Sequence, residues 1–574
     1  MSIKSSNNKS STKPSDSASK VSIRELQGEA NFSPYAGQKV SIAGVVTGVL
    51  RRGFFLQTPD KEWDGKGSDA VFVYSPDWTA VKGAMVEVNG ECVDFLKHDT
   101  ARPVTQVRLE EVNLRSTEGP EIEPIQLTSE FIPADNAELA KLLTALEGML
   151  VRIEEGQTFI APSNRYGDYV LAMDEPQLDQ TVLRTEHGGA IVDQSNHLRW
   201  FPGFRVTNYN HAPRLNVGSK LRSPICGPLN YRVDSYQISV SEPFEVEANF
   251  VSLTKSSLIP ESDSLTIMTL NCFNLDPHIE SEDKVMNPRQ DIDDDWGEGR
   301  FHTLAQAVVL QANIPDIVAL QEIQDNDGAE LGDVVDASKT YSLLIETIEE
   351  LSGVRYDWVD VEPNVGEDGG QPGGNIRNGY LYNPERVELD QDSVRVLGRG
   401  VECFDDSRKP LVCDFIEKGS KKRIAIVNVH LASKRHQESI FAPEDAGYDA
   451  KLSVRVAQAE LVRAEVDKIH ADGTEYYITG DFNDTEHSAT LKEFEGDGGY
   501  NLVFSLPETE RYDYNHRGKL QVLMHGIVSK QLVERGAAEY EIIHGNELIG
   551  VAPGEDSDKP SDHAYVIAKL RFAQ

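Results

Sequence analysis

The chain has 574 residues, 39% of them hydrophobic and 8% aromatic. That composition is globular, and the length exceeds one hydrophobic core, so about two to four domains are expected. With 56 basic residues against 94 acidic ones, the net charge is −38. This excludes a protein that coats nucleic acid through a broad basic surface, but not one that binds phosphate at a metal site. The plain reading of the charge is solubility.

Residues 1–20 are rich in Ser, Lys and Asn and read as a disordered leader. They lack the apolar core of a Sec signal peptide, and no apolar run approaches the ~20 residues of a membrane span. A cytoplasmic location is therefore the default expectation. Residues 21–115 hold about five short strands with glycine turns, such as "QKVSIAGVVTGVLRRGFFLQT", and suggest a small OB-like barrel. Arg51, Arg52, Phe54 and Phe55 share one hairpin there. They read either as a base-stacking surface or as one core and one half-exposed ring.

Residues 116–260 read as a second β-rich, OB-like module. It opens with a Pro/Glu-rich connector and a short helix capped by Asp135 or Asn136. The loop-rich "HLRWFPGFRVTNYNHAPRLNVGSKL" places basic side chains near aromatics, and loops this long usually carry function. From residue 261 to 574, strands alternate with helical segments, the pattern of an α/β domain. The five cysteines, Cys92, Cys226, Cys272, Cys403 and Cys413, lack CxxC spacing, which argues against zinc or a disulfide scaffold. Cys403 and Cys413 read as free thiols or as a pair across a hairpin.

P-loop, dinucleotide-binding, HExxH and GxSxG signatures are all missing. Instead, polar residues mark strand ends: Asn271 in "TLNCFN", Glu322 in "VALQEIQDN", His430 in "VNVHLASKR", Asp481 and Asn483 in "ITGDFND", and Asp562 with His563 in "KPSDH". Strand ends of α/β sheets are where ligand sites form. Asn, Glu, Asp and His donors without Cys suit Mg²⁺ or Mn²⁺ with phosphate better than zinc, and Ca²⁺ is a further candidate. The acidic run Asp291 to Gly299 lacks the bidentate Glu of a calcium loop. It reads as a solvated turn capping a helix from Arg300.

In their order, N, QE, NxHL, GDFN, SDH, these motifs resemble the endonuclease/exonuclease/phosphatase superfamily, whose type is pancreatic deoxyribonuclease. The match spans most of 265–574. Stretches such as "DDDWGEGRF" and "DGGQPGGNIRNGYLYNPERV" are similar to bacterial extracellular-type nucleases that carry an OB-like module ahead of the catalytic domain. The resemblance implies a four-layer α/β sandwich preceded by two β-rich modules. It implies a metal-dependent endonuclease or phosphodiesterase that cuts DNA, or RNA, by in-line attack of water. Lipid or small-molecule phosphoesters are the alternative on the same fold. It implies that Glu322, Asn271 and Asp562 surround the metal. Asp481 would activate water, Asn483 hold the phosphate, and His430 and His563 stabilise transition-state charge. Proteins of this kind are often secreted, and one kept inside a cell would need a partner or inhibitor to restrain it.

Arg377, Asn378, Arg408, Lys409, Lys434 and Arg435 read as substrate contacts to a phosphate backbone or as surface ion-pair partners. One departure stands at the chemistry. In "LQVLMHGIVSK" the family's aspartate, which would orient His563, is matched by Met524. Three expectations follow: a loosely held His563 with a lowered pKa, Glu555, Asp556 or Asp558 as substitutes, and a gain in turnover from Met524→Asp. A catalytically weakened nucleic-acid-binding protein is the corresponding alternative.

Overall fold

The computed structural model describes residues 18–28, 31–59, 63–98, 101–173, 182–191, 199–434, 437–442, 446–555 and 559–572. After a short strand and helix within Ser19–Gln27, five strands build the first module: β1 (Lys39–Leu50), β2 (Gly53–Gln57), β3 (Ala70–Tyr74), β4 (Met85–Phe95) and β5 (Val104–Ser116). They close into a barrel in the order β1-β2-β3-β5-β4, with β4 returning to β1 and β3 running parallel to β5. Inward residues of alternating strands, such as Ile42, Phe54, Val73, Val88 and Val107, fill it.

The base-stacking reading of Phe54 and Phe55 fails here. Phe54 packs edge-on to Trp78 inside the barrel, and Phe55 packs on Phe72. Phe55 faces outward from the barrel, but the second module covers that face. Together with Arg102 and Tyr231 it lines a cavity of about 270 Å³ between the two modules.

That second module is a nine-stranded sheet. It includes β6 (Asp168–Ala172), β9 (Gly203–Val206), β10 (Ile225–Arg232) and β11 (Ser235–Val240). Val233 and Asp234, both at positive φ, form the two-residue turn between β10 and β11. Two short strands, β7 (Leu183–Arg184) and β8 (Ala190–Ile191), leave this sheet to pair elsewhere.

In the C-terminal half, two six-stranded sheets stack face to face. One runs β14 (Asp357–Asp360), β15 (Arg377–Tyr382), β13 (Ile317–Ile323), β12 (Ser264–Leu275), β25 (Tyr565–Arg571), β24 (Ala538–Ile543). The other runs β16 (Val387–Val396), β17 (Leu411–Glu417), β18 (Arg423–His430), β19 (Glu475–Asp481), β23 (Met524–Ser529), β20 (Gly499–Asn501). Strand alternation sends Ile267 and Ala319 toward Phe415, Ile426 and Tyr477 in the shared core. Met268 and Leu270 point the other way, onto helices α1 (Arg300–Gln306) and α2 (Ser338–Ser352). Val427 and Val429 likewise meet α3 (Leu452–Ala471). The result is the four-layer α/β/β/α sandwich expected from the sequence.

Polar ties fix the sheets to each other near one end. Thr269 Oγ1 meets Thr479 Oγ1 at 2.5 Å, and Gln321 Nε2 donates to Asn428 Oδ1 at 2.7 Å. Two strands, β21 (Tyr514–His516) and β22 (Lys519–Gln521), form a hairpin that extends β7 and β8, with Ile191 paired to Leu520. The hairpin turn is Arg517–Gly518, both at positive φ. A Cβ on Gly518 would stand 2.9 Å from Ile160 and Val170, so only glycine lets the turn seat against the second module. All five cysteines are free.

Candidate active site

Register brings the polar strand ends together. His430 is paired with Asp481 across parallel strands, and Asp481 with Met524 across the next antiparallel pair. Irregular register in β12 and β13 leaves Phe273, Asn274 and Glu322 at positive φ, and Asn483 is also left-handed. Such strain costs on the order of 1–3 kcal/mol per residue and gathers where side chains must be re-aimed. Glu322 is turned out of its ladder toward Asn271, whose Nδ2 donates to Glu322 Oε1 at 3.2 Å.

Asp481 is the hub. Its Oδ2 lies 3.6 Å from His430 Nε2 and 3.7 Å from His563 Nε2, and its Oδ1 accepts from the Asn483 amide at 2.8 Å. His430 Nε2 is also 3.7 Å from Glu322, and Asp562 lies 3.9 Å from His563. Asn483 Nδ2 donates to the Leu431 carbonyl at 3.1 Å.

His563 is not loosely held, and this corrects the expectation drawn from Met524. Asp513, at the foot of the β21–β22 hairpin, places Oδ1 2.9 Å from His563 Nδ1. Its Oδ2 accepts from the amides of Leu523 and Met524, each at 2.8 Å. The backbone at Met524 thus anchors the carboxylate that the Met524 side chain lacks. Tyr514 stacks on the His563 ring with centroids 4.8 Å apart. Glu555 sits exposed in a turn, and Asp556 and Asp558 lie outside the described residues. The sequence reading missed Asp513 and Tyr514. The available signal was "DYNHRG", an acidic residue opening a strand that runs into a tight turn.

The electrostatics separate the two histidines. Burial works against a charged His563, but Asp562, Asp513 and Asp481 outweigh it and push its pKa up to about 10, not down. His430 is held well below its ordinary value by burial and by the Arg408 and His563 cations. Its Nδ1 is buried without a hydrogen-bond partner. Burial, then repulsion from Asp562, raises Glu322 to about 7, and burial raises Asp481.

A family model described as "Endonuclease/Exonuclease/phosphatase family" matches residues 268–563, slightly more than half of the chain. The chain belongs to the endonuclease/exonuclease/phosphatase family. A second model, "Domain of unknown function (DUF8508)", matches residues 123–248. Among solved structures the chain is similar to a humanized D. rerio TDP2 at 14% identity, with 54% of this chain and 100% of that one covered and a TM-score of 0.35. The human nocturnin catalytic domain is 14% identical over 54% and 95% of the two chains, with a TM-score of 0.35. A Bacteroides thetaiotaomicron mannosyl-6-phosphatase is 16% identical over 54% and 100%, with a TM-score of 0.33. None of these likenesses assigns a substrate. No curated protein matches the chain.

The endonuclease/exonuclease/phosphatase fold is that of hydrolases acting on phosphoester bonds. The donors fit the divalent ion such enzymes use: hard oxygen ligands in Glu322, Asn271 and Asp562, and carboxylates whose mutual repulsion a cation would relieve.

Of the basic residues singled out in the sequence, Arg408 comes closest. It is buried beside the site, with Nη2 donating to the Leu431 carbonyl at 2.9 Å, and its charge acts on Glu322 and His430. Lys434 is half-buried and bound to Asp484 at 2.8 Å. Arg377 is buried and donates to the carbonyls of Asn375 and Val335. Asn378 Nδ2 donates to the Lys409 and Asn428 carbonyls. Lys409 Nζ is surrounded by three carbonyls and Asp368 at 2.9–3.1 Å. The fold thus commits these three to holding loops. Arg435 lies outside the described residues.

The acidic run is not the solvated cap expected of it. Asp295 is buried and ion-paired to Arg300, with Asp293 3.7 Å away on the same guanidinium. Gly299 caps α1 without any side-chain bond. Asp276, Asp293 and Asp295 bring ligand oxygens within 4.8 Å of one another. Arg300 already supplies positive charge there, and burial, with Glu280 and Asp295 adding to it, pushes Asp276 up to about 9.

Proposed function

We propose that this chain is a divalent-metal-dependent nuclease that hydrolyses phosphodiester bonds, with DNA the first substrate to test and RNA the second. The observation that carries the reading is the closed constellation of Glu322, Asp481, His430 and His563, with Asp513 seated on His563 Nδ1 at 2.9 Å. The alternative of a weakened, binding-only protein rests on the missing carboxylate at position 524, and Asp513 stands in for that carboxylate on His563.

Glu322, with Asn271 and Asp562 beside it, would hold Mg²⁺ or Mn²⁺. When bound, the ion supplies positive charge against the phosphate oxygens as negative charge develops. Asp481 accepts the proton of the attacking water from its position between two imidazoles. Asn483 is held by its bonds to Asp481 and Leu431 to place its amide on the phosphate. His563, charged and oriented by Asp513, donates from Nε2 to a phosphate oxygen, and neutral His430 faces the same oxygens. As the water oxygen bonds to phosphorus the P–O bond to the leaving oxygen breaks, the leaving oxygen takes a proton from charged His563, and all these donors are in place beforehand, so the site acts by preorganisation.

The test is nicking of supercoiled plasmid with Mg²⁺, with and without EDTA, alongside Glu322→Ala. Metal-dependent nicking that falls at least about 10²-fold in the variant is expected. Intact plasmid beside hydrolysis of a sugar phosphate monoester would move the assignment to a small-molecule phosphatase.

A further inference from the structure

In a chain of net charge −38, cations gather beside the active site on surfaces from two different parts of the fold. Lys434 is bound to Asp484, the residue after Asn483. At the tip of the hairpin, burial and the charges of Arg517, Lys519 and Lys434 push the pKa of His516 down to about 4, so it is a neutral ring among three cations. Arg517 Nη1 donates to the Val233 carbonyl at 3.0 Å, which brings the tip against the turn after β10. Arg232, the neighbour of Val233, interacts with Arg517 and with Arg205. Asp168, 3.6 Å from Arg232, and Asp484, bound to Lys434, are acids within this group, and the cations outnumber them.

Aromatic rings accompany the charges. His516 and Tyr514 are nearly parallel at 6.4 Å, continuing the stack from His563 outward. On the second module, Arg205 Nη2 donates to the Tyr209 hydroxyl at 3.3 Å, and that hydroxyl donates to the Tyr166 carbonyl at 3.2 Å. Arg165 lies over the Tyr166 ring at 5.9 Å. Tyr166 and Tyr209 are 45% and 41% exposed, so part of each ring is accessible to a ligand. Gly554, in the turn that leads toward Asp562 and His563, donates to the Arg165 carbonyl and packs on Tyr209. The hairpin, with Tyr514 on His563 at one end and Arg517 on Val233 at the other, joins this group to the catalytic residues.

We propose that the second module and the β21–β22 hairpin together form a track for single-stranded nucleic acid that delivers a phosphodiester to Asp481. The track deepens the nuclease reading and rests on it. Arginines pair the phosphates while exposed rings stack the bases, a combination that suits a single strand because a duplex hides its base faces. It also resolves the charge problem: the chain as a whole repels a polyanion, so capture depends on this local group.

The test is fluorescence anisotropy of a labelled oligothymidylate of about 20 nucleotides, longer than the roughly 4–16 nucleotides one such groove covers. The full chain is used, in EDTA so that the strand stays intact. Binding that weakens with salt is expected. Arg205→Ala with Arg232→Ala should weaken it at least about tenfold, and Tyr209→Ala at least about fivefold. Arg205→Lys with Arg232→Lys should retain most of it. Tyr209 is exposed, so its variant carries the test even if the arginine pair fails to fold, and melting temperatures report which case holds. With Mg²⁺, KM for long strands should rise in the Ala variants while the advantage of long over very short strands disappears. Unchanged affinity in both Ala variants, or displacement of the strand by an equal length of duplex, overturns the track. If the wild type cuts nucleic acid in either of these cases, the nuclease reading survives the loss of the track. A wild type that cleaves only a phosphate monoester removes both.

Discussion

Asp513 decides how His563 works. Its Oδ2 is fixed by two amides, so Oδ1 can only face the imidazole. In Asp513→Asn, the amide oxygen would keep the backbone bonds and turn the NH₂ toward Nδ1, so His563 would lose its Nδ1 proton and with it the positive charge it brings to the phosphate. We expect kcat to fall about 10³–10⁴-fold with the melting temperature nearly unchanged, as for loss of an orienting carboxylate elsewhere. Met524→Asp has the opposite expectation from the one the sequence suggested. Met524 is fully buried in the core between the sheets and sits beside Asp513. A second carboxylate there would be buried next to the first, so stability should fall by a few kcal/mol, on the order of 3, with no gain in turnover. Denaturant melts and steady-state rates on the same preparations check both. Neighbours in space, which sequence does not reveal, also separate Arg408, whose charge acts on Glu322 and His430, from Arg377, Asn378 and Lys409, which are spent on backbone carbonyls.

At the scale of elements, the β21–β22 hairpin joins two parts of the molecule. It carries Asp513 and Tyr514 at one end and seats Arg517 and Gly518 on the second module at the other. Asn515 Nδ2 donates to the Ile160 carbonyl at 3.0 Å, and Leu520 pairs with Ile191. Gly518→Val would add a branched side chain at φ +86, against Ile160 and Val170. We expect a loss of about 2–4 kcal/mol and, because the hairpin moves with Asp513, a fall in kcat larger than the change in KM. A stability loss with kcat intact would mean that the Leu523–Met524 amides alone hold Asp513. The hairpin was invisible in the sequence reading because its strands are three residues each, too short to show a period.

At the scale of the whole molecule, 94 acidic against 56 basic residues impose self-repulsion on the folded state. Screening at about 0.5–1 M NaCl shortens the Debye length to a few ångströms and should raise the melting temperature. The same salt should weaken polyanion binding, so stability and substrate affinity are expected to move in opposite directions, measured by thermal melts and anisotropy. Among the described residues no helix is long and apolar enough to cross a membrane. The sequence by itself determined the α/β class of the C-terminal half and the polar residues at its strand ends, and the resemblance carried by their motifs implied the sandwich. Alternation and helical period are local, and Asn271, Glu322, His430 and Asp481 stand toward the ends of recognisable strands while His563 introduces one. Tertiary structure decided what the strand ends do together. The carboxylate on His563 comes from 50 residues away, along a path no spacing rule encodes. The buried stacking face of the first barrel and the cations gathered beside the site are likewise set by which surfaces meet. Burial and charge at a position depend on neighbours in space, and sequence order does not list them.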